Sequence, residues 1–208
     1  MILLKDKIEF PPYKLTTDDG IIALGGDLSE ERLIYAYKNG IFPWFSEGDP
    51  IVWYCPYERM VLFPDELKVS KSMRKIIRKN EFKITENKAF KEVIYNCKNI
   101  TRSDGFGTWI TDDMEQAYIK LHQKGVAKSI EIWLNDELVG GLYGLEVNTI
   151  FCGESMFSKV SNASKLAFIH LARSKNYTLI DCQIYNEHLE SLGAKEVDRN
   201  TFLNILKA

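Results

Sequence analysis

The feature that most constrains the fold is the stretch TIFCGESMFSKVSNASKLAFIHLA, residues 149–172, which predicts a strand followed by a buried helix. Alternation of side chains along the strand would place Glu154 among apolar residues, where an unpaired carboxylate is costly. A β-bulge at Gly153 would re-aim Glu154 and would let Phe151 and Met156 line one cavity. The alternative interpretation is that Glu154 pairs with a neighbouring lysine.

Hydrophobic periodicity along the rest of the chain predicts an α+β protein. Helices are expected over residues 32–38, 70–80, 88–97, 112–125, 162–175 and 186–193, and strands over 82–85, 127–135, 137–147, 149–157 and 177–185. Ser29 is the expected N-cap of the first helix, and Gly40 is expected to end it. Antiparallel hairpins followed by a strand–helix–strand unit indicate a mixed sheet flanked by helices.

The first part of the chain is short, aromatic and rich in turn residues. Pro50, Pro56 and Pro64 lie in a region where we expect little helix or regular sheet. We therefore predict a small N-terminal domain over residues 1–62 and a larger domain over residues 63–208.

Charge is distributed unevenly, although the formal net charge of the chain is only −2. Residues 68–102 hold 11 Lys/Arg and 3 Asp/Glu, a net charge of +8. The predicted helix in this segment places four basic residues on one face, at i, i+3, i+4 and i+7. They are Lys71, Arg74, Lys75 and Arg78. A solvated helix face ordinarily mixes both signs, so an unmixed face favours contact with a nucleic-acid backbone over simple exposure to solvent.

Composition and spacing argue against several other classes. Hydrophobic residues make up 45% of the 208, enough to bury a sizeable core, and no apolar run is long enough to span a bilayer. The first ten residues lack the pattern of a signal peptide, so a cytoplasmic protein is expected. Four widely spaced cysteines without a CxxC pair indicate free buried thiols. The three histidines have no metal-binding spacing, so no metal is expected, and neither a Walker loop nor GxGxxG is present.

The segment LIDCQIY, residues 179–185, has its polar groups on one face of the predicted strand. Period-two alternation places Asp181 and Gln183 together, opposite Ile180, which should pack under a helix. A buried carboxylate beside an amide must be hydrogen-bonded or have a shifted pKa. Taken alone, the pair is better explained as structural than as catalytic.

Two further features allow more than one interpretation. Phe168 and Leu171 share a flank of the predicted helix over 162–175, which is apolar nearly all round. Core packing explains them, although a slot between this helix and the strands could also hold an apolar side chain. Trp44 and Trp109 lie in glycine-flanked loops, where tryptophans either pack against the body of the protein or stack on bases.

Nine segments together resemble one family, in order, along nearly the whole chain. They are ALGGDLS, GIFPWFS, GDPIVWYCP, GTWIT, ELVGGLYG, FCGESMFS, NASK, LIDCQ and SLGA. Each segment alone has low specificity, whereas the ordered set resembles the leucyl/phenylalanyl-tRNA–protein transferases. The strand and helix order of the second part also looks like the core of the GNAT acyltransferase fold.

The resemblance implies a reaction and its substrates. An enzyme of this family takes Leu or Phe, and less readily Met, from aminoacyl-tRNA and joins it to a protein whose N-terminus is Arg or Lys. The product is a bacterial N-degron that the Clp adaptor system reads. Members have a small N-terminal domain and a GNAT-like domain, act as monomers and need no cofactor.

The resemblance also implies a role for each of the residues singled out above. The pocket for the aminoacyl side chain would be lined by Leu142, Phe151, Met156, Phe168, Leu171 and Ile180. Trp44 and Trp109 would hold the terminal adenosine of the tRNA. Lys71, Arg74, Lys75 and Arg78 would contact the tRNA backbone. The catalytic centre, where the acceptor amine meets the ester, would consist of Glu154, Asp181 and Gln183.

Elementary chemistry agrees with this reaction. An apolar pocket discriminates between near-isosteres by only about 1–3 kcal/mol per methylene, which fits a range of Leu, Phe and Met. An aminoacyl ester is already activated, so the enzyme mainly has to position the ester and an amine whose pKa is about 8. Because a neutral amide is a poor base, our hypothesis is that Gln183 orients the amine while Asp181 receives its proton, directly or through Gln183 or water. Glu154 would attract the cationic acceptor or anchor the aminoacyl end.

The sequence departs from the family pattern in three places. It ends at LNILKA, before the C-terminal extension of longer members. Leu171 and Lys175 stand where larger aromatic residues can occur, so a roomier slot is expected. The basic face contains more lysine than arginine, which favours point-charge contacts over bidentate ones.

Two other functions are considered beside this one. An acyl-CoA N-acetyltransferase of the same fold would need a glycine-rich turn for pyrophosphate, and the junction FSKVSNASK contains no glycine. A non-catalytic tRNA-binding module would suit the basic helix and the tryptophans. It gives no reason for the group formed by Glu154, Asp181 and Gln183.

Overall fold

The computed structural model describes residues 2–100 and 109–208, which form two β-sheets and seven α-helices. The helices are α1 Glu30–Lys38, α2 Lys71–Lys79, α3 Phe90–Asn99, α4 Asp112–Gln123, α5 Ala163–Arg173, α6 Glu187–Glu190 and α7 Arg199–Lys207. The strands are β1 Leu3–Leu4, β2 Ile21–Gly25, β3 Phe42–Pro43, β4 Val52–Tyr54, β5 Glu58–Leu62, β6 Lys83–Glu86, β7 Ala127–Leu134, β8 Glu137–Val147, β9 Ile150–Ser158, β10 Leu179–Gln183 and β11 Lys195–Asp198.

The larger sheet has the strand order β11-β5-β10-β9-β8-β7-β6, and the smaller sheet has the order β1-β2-β4-β3. In the larger sheet β9 and β10 are parallel and are connected through α5, as a strand–helix–strand unit requires. The other neighbouring strands of that sheet are antiparallel. This arrangement confirms the predicted α+β class, in which a small N-terminal part precedes a GNAT-like mixed sheet flanked by helices.

The expectation of little regular sheet around Pro50, Pro56 and Pro64 is wrong. β4 lies between the first two prolines and pairs with β2 and β3, while β5 lies between the last two and pairs with β10 and β11. Each proline stands outside these strands, so none interrupts a ladder of hydrogen bonds. β11 and α7 were not predicted either. The chain therefore passes from the smaller sheet to the larger between Tyr54 and Glu58, and the division into residues 1–62 and 63–208 stays a prediction.

Strand β9 contains the bulge that the sequence predicts. Tyr143 of β8 pairs with Ser155, and the next residue of β8, Gly144, pairs with Gly153. Glu154 is therefore the extra residue on β9, which confirms a bulge beside the glycine.

The bulge changes which residues of β9 face each side of the sheet. Cys152 before the bulge and Phe157 after it belong to the same buried cluster, together with residues of α1, α3, α4 and α7. Phe151 and Met156 lie against the other cluster, which contains residues of α2, α5 and α6. A regular strand would have placed Phe151 and Met156 on opposite faces, so the extra residue is what brings them together.

Helix α5 lies close against the larger sheet. A Cβ at Gly140 of β8 would stand 2.4 Å from the Cβ of Ala163, so only glycine permits this approach. No disulfide joins Cys55, Cys97, Cys152 and Cys182, as predicted; the first three are buried and Cys182 is partly buried. Within the two described ranges, no helix combines the length and apolar character needed to cross a membrane.

Candidate active site

A cavity of about 460 Å³ lies where α5, β9 and β10 meet the loop after β3. Its lining includes all six residues predicted for an aminoacyl slot: Leu142, Phe151, Met156, Phe168, Leu171 and Ile180. Met156 is partly buried, and the other five are at most 4% exposed. The structure thus brings the six side chains together as an apolar slot, while their role in binding substrate stays a prediction.

The slot follows from strand register and from one glycine. Leu142 of β8 pairs with Met156 of β9, and Phe151 of β9 pairs with Ile180 of β10. A Cβ at Gly144 would lie 2.6 Å from the ring of Phe151, so the missing side chain leaves space for that ring. The facing helix α5 supplies Phe168 and Leu171, which lie on one flank at i and i+3.

Both predicted tryptophans line the same cavity. Trp44 follows β3, is 38% exposed and packs at a tilt against Tyr54, with ring centroids 5.6 Å apart. Trp109 is partly buried ahead of α4, whereas the preceding residues of the predicted GTWIT loop lie outside the described residues. An exposed indole beside an apolar slot offers a surface on which a base can stack.

Glu154 is held at the cavity wall by three hydrogen bonds. The hydroxyls of Tyr37 and Tyr118 donate to its Oε1 and Oε2 over 2.6 and 2.9 Å. The side-chain amide of Gln183 donates from Nε2 to Oε1 over 2.7 Å. These partners replace the neighbouring lysine of the alternative interpretation, so Glu154 is bound by neutral donors.

The protonation state of Glu154 follows from this environment. Burial raises the pKa of Glu154 from its ordinary value of 4.5 to about 8, although the hydrogen bonds from Tyr37, Tyr118 and Gln183 act in the opposite direction. The hydroxyls of Tyr37 and Tyr118 also lie 2.5 Å apart. The three contacts among these groups need three protons, and the two hydroxyls supply only two. A protonated Glu154 supplies the third by donating from Oε2 to the hydroxyl of Tyr118, which then donates to Tyr37 instead of to Glu154. The neutral acid therefore satisfies all three contacts at neutral pH.

A raised pKa makes the folding stability depend on pH. The contribution of neutral Glu154 is fully present below its unfolded pKa of 4.5 and is lost as the pH rises through about 8. Between pH 7 and pH 9.5 we expect wild type to lose about 1 kcal/mol, or ~2–4 °C in Tm, relative to Glu154→Gln. Thermal melts at the two pH values measure the difference. The exposed Glu187→Gln is the control, and equal losses in wild type and Glu154→Gln would contradict the assignment.

Asp181 also lines the cavity, but its side chain is buried in an ion pair with Arg59. Nε and one terminal nitrogen of Arg59 donate to Oδ1 and Oδ2 over 2.7 and 2.6 Å, and Asp181 and Arg59 are 0% and 2% exposed. Oδ1 also accepts the backbone N–H of Gln183 over 2.9 Å. Both carboxylate oxygens are therefore engaged inside the protein.

The regular alternation predicted for β10 does not continue past Asp181. The pairing with β5 shifts register between Asp181 and Gln183, and Gln183 has a φ of +66°. Asp181 consequently faces Arg59, whereas the side chain of Gln183 turns towards Glu154. Ile180 packs under α5 in the second cluster, as expected.

The basic face of α2 is a separate feature of the surface. All four of its predicted residues, Lys71, Arg74, Lys75 and Arg78, are exposed. None of the ion pairs found in residues 2–100 and 109–208 involves any of them. Ser70 caps the helix by accepting the N–H of Met73, which is the buried residue of α2. The face thus carries positive charge without an acidic partner in the described part of the chain, on a helix anchored by apolar side chains.

Three residues of the site were not found from the sequence: Tyr37, Arg59 and Tyr118. The two tyrosines lie on the buried faces of α1 and α4, where a hydroxyl needs a partner. Arg59 lies in the apolar run RMVLF, where a charge must be paired. Each pattern signals a buried polar contact without identifying the other partner.

Comparison with known proteins identifies the family. The family model described as leucyl/phenylalanyl-tRNA protein transferase matches residues 61–207, and the model of that family's N-terminal domain matches residues 26–56. The chain is 59% identical over 209 residues to the leucyl/phenylalanyl-tRNA–protein transferase of Flavobacterium johnsoniae, covering 99% of this chain and 98% of that relative. The chain belongs to this family. The resemblance found in the sequence is thereby confirmed.

Other relatives agree with this membership. The transferase of the same name from Flavobacterium psychrophilum is 58% identical, with full coverage of both chains, and that of Syntrophus aciditrophicus is 50% identical over 96% of this chain and 85% of its own. Among solved structures, FemX is similar with a TM-score of 0.52 at 10% identity, covering 84% of this chain and 70% of that one. This last likeness concerns the fold alone. The family name itself implies aminoacyl-tRNA and protein as substrates.

Proposed function

We propose that this chain transfers Leu or Phe, and less readily Met, from aminoacyl-tRNA to proteins that begin with Arg or Lys. It would act as a monomer in the cytoplasm and mark its acceptors for N-degron proteolysis. The observation that carries this proposal is the convergence of three parts on one cavity. The apolar slot, the tryptophans Trp44 and Trp109, and the polar centre at Glu154 and Gln183 all line it.

In this proposal the aminoacyl ester spans the cavity. Its side chain enters the slot formed by α5, β8, β9 and β10, and its adenosine stacks on Trp44 and Trp109. The ester carbonyl then lies near Glu154 and Gln183, where the acceptor amine arrives. Holding both reactants in this way supplies the main rate enhancement, because the ester needs no further activation.

Glu154 is the best-placed proton acceptor for the attacking amine. Its pKa of about 8 matches the ordinary pKa of an α-amine, which is also about 8. A general base works best when its pKa lies near the working pH. The arrival of a cationic N-terminus beside Glu154 favours the ionised carboxylate. Gln183 and the two tyrosines keep the carboxyl group oriented, so it is already in position when the cationic N-terminus arrives and favours its ionisation.

Asp181 is less suited to receive the proton. Each of its oxygens accepts a hydrogen bond from Arg59, and the pair is buried. One oxygen also accepts the backbone N–H of Gln183, and the side chain is 0% exposed, so it presents no accessible oxygen to the acceptor amine. We therefore propose that Asp181 positions Gln183 and that Glu154 takes the proton of the attacking amine. As the amide bond forms, the ester C–O bond to the tRNA ribose breaks, and the ribose oxygen leaves as a hydroxyl with that proton.

The tRNA backbone would lie along the basic face of α2. Lys71, Arg74, Lys75 and Arg78 are exposed there without acidic partners among the ion pairs of the described residues. Phosphate contacts of this kind supply sequence-independent and salt-dependent affinity. They would bring the acceptor stem to the enzyme, while the cavity selects the aminoacyl group.

The geometry argues against the two other functions. At the junction into α5, the N–H of Ala163 donates to the carbonyl of Val160 over 3.2 Å, and that of Ser164 donates to Oγ of Ser158 over 3.1 Å. These donors are occupied within the chain, so the junction is a poor cradle for the pyrophosphate of an acyl-CoA. A non-catalytic tRNA-binding module gives no reason to bury Glu154 with two tyrosines and an amide.

Transfer of labelled Phe from Phe-tRNA to a peptide that starts with Arg tests the proposal. The purified protein should label this peptide, and it should leave the same peptide unlabelled when its N-terminus is acetylated. A peptide starting with Glu controls for acceptor choice. Binding of Phe-tRNA without any labelling would support the binding module instead.

The residues at the far end of the slot would limit the length of the aminoacyl side chain that the enzyme accepts. A second cavity of about 130 Å³ shares Phe151 and Leu171 with the first, so these two side chains form the wall between them. Leu171→Ala should open the slot towards this space. We expect transfer of Trp relative to Leu to rise about 10–100-fold, the usual effect of a few methylenes in an apolar pocket.

Competition between Leu and Trp on the same tRNA body measures this change. Leu166→Ala is the matched control, because Leu166 lies on the same helix and in the same cluster but lines neither cavity. Both variants should lose about 2–5 kcal/mol of stability. An unchanged ratio in Leu171→Ala would show that the wall lies elsewhere.

A further inference from the structure

The guanidinium of Arg59 connects parts of the active site that come from distant segments of the chain. It reaches Asp181 on β10 through two hydrogen bonds and donates from a third nitrogen to the carbonyl of Gly40 over 3.1 Å. We infer that Arg59 is a positioning residue, which sets the place of Gln183 and of the segment carrying Trp44. The inference rests on the proposed function.

The first connection runs from Arg59 through Asp181 to Gln183. Gln183 adopts a φ of +66°, a conformation that costs free energy for a residue other than glycine. Such a backbone persists only where its surroundings hold it, and here the N–H of Gln183 donates to Oδ1 of Asp181. Arg59 fixes that oxygen from the other side. The side chain of Gln183 can then reach Glu154 over 2.7 Å.

The second connection runs from Arg59 to the loop after α1. Its guanidinium lies between the rings of Phe42 and Phe202, with both centroids 4.6 Å away. Phe42 lines the cavity together with Pro43 and Trp44. Gly40, whose carbonyl accepts from Arg59, stands two residues before Phe42. The planar guanidinium contacts two aromatic rings and forms hydrogen bonds along its edge, so it has little freedom to turn. Arg59 therefore fixes the position of Trp44, which would bind the adenosine, relative to Gln183, which lies where the reaction would occur.

Stability alone does not explain why a charge is placed here. A buried ion pair can often be replaced by apolar residues of similar volume with little loss of stability. What such residues cannot reproduce is a planar fork that bonds two carboxylate oxygens and a carbonyl at fixed angles. Because a displacement of about 1 Å at a reacting centre can lower a rate about 10²-fold, accurate placement is a sufficient reason to retain Arg59.

Single-turnover transfer from Phe-tRNA separates positioning from folding. The amplitude reports the fraction of active protein, and the rate constant reports the geometry of the bound complex. Arg59→Lys retains the charge but loses the fork, so we expect a full amplitude and a rate constant at least about tenfold lower. A purely structural role would lower the amplitude and leave the rate constant of the remaining active protein unchanged.

Arg199→Lys is the matched control, because Arg199 lies over the rings of Tyr57 and Tyr13 and donates to Thr16 and to the carbonyl of Cys55. These contacts include no cavity-lining residue. The control should retain the wild-type rate constant. If Arg59→Lys does not fold, Arg59→Met combined with Asp181→Asn replaces it, because that pair leaves no buried charge.

Binding of puromycin, measured by calorimetry, gives a second and independent reading. Puromycin contains both an adenosine and an aminoacyl part. Misplacement of Trp44 and Gln183 in the Arg59 variant should therefore lower the affinity for puromycin at least about fivefold. A wild-type rate constant and wild-type puromycin binding in that variant would overturn the inference. Wild type that binds puromycin without transferring Phe would contradict only the proposed function, and the Arg59 variant would still be judged by binding.

Discussion

Replacing Lys71, Lys75 and Arg78 together by glutamate is expected to weaken binding of Phe-tRNA by about 10²–10³-fold at about 0.1 M salt. The three side chains are exposed, and no acidic residue lies between Glu66 and Glu81 to offset them. Each lost phosphate contact should also flatten the plot of log affinity against log salt by about one, so the slope should fall by about three. Filter binding or fluorescence titration over a range of salt concentrations measures both quantities.

The matched control removes the same charge elsewhere. Lys5, Lys14 and Lys207 are also exposed but lie outside α2, and their replacement by glutamate should leave the salt slope near that of wild type. Puromycin binding should be unchanged in both triple variants, because puromycin has no tRNA backbone. Equal weakening by the two triple variants would show that overall charge, rather than the face of α2, attracts the tRNA.

The parts of the fold that were predicted correctly depend on local patterns. α1 begins after Ser29 because that side chain accepts the N–H of Arg32, and such a cap is readable within four residues. The bulge at Glu154 was also readable, because a carboxylate that follows a glycine inside an apolar strand does not fit a regular pleat. In both cases the residues that decide the structure are neighbours in sequence.

The site contacts that were missed depend on residues far apart in sequence. Tyr37 and Glu154 are separated by 117 positions, and Arg59 and Asp181 by 122. Periodicity shows that a tyrosine or an arginine is buried, but it does not show which strand lies opposite. The position of β5 beside β10 is a matter of topology, and it alone makes Arg59 the partner of Asp181.

Glu154→Gln is expected to lower single-turnover transfer at pH 7.5 by about 10²–10⁴-fold, the usual effect of removing a general base. The amide retains the shape of the protonated carboxyl, so Tyr37, Tyr118 and Gln183 keep hydrogen-bonding partners. In wild type, both the carboxylate of Glu154 and the free amine of the acceptor increase as the pH rises towards about 8. The logarithm of the rate should therefore rise with pH with a slope of about two, and Glu154→Gln should reduce that slope to about one.

Glu131→Gln provides the comparison that makes the slope informative. Glu131 is a fully buried glutamate on another strand of the larger sheet and accepts hydrogen bonds from the hydroxyls of Thr85 and Ser129, but it does not line the cavity. Its replacement should leave the slope at about two, since no proton of the reaction passes through it. If Glu154→Gln also kept the wild-type slope, the second titrating group would lie elsewhere, and Asp181 would again be the candidate despite its ion pair with Arg59. A slope of about one in wild type would instead mean that the amine is the only group that must lose a proton, and the cavity would then act by placement alone.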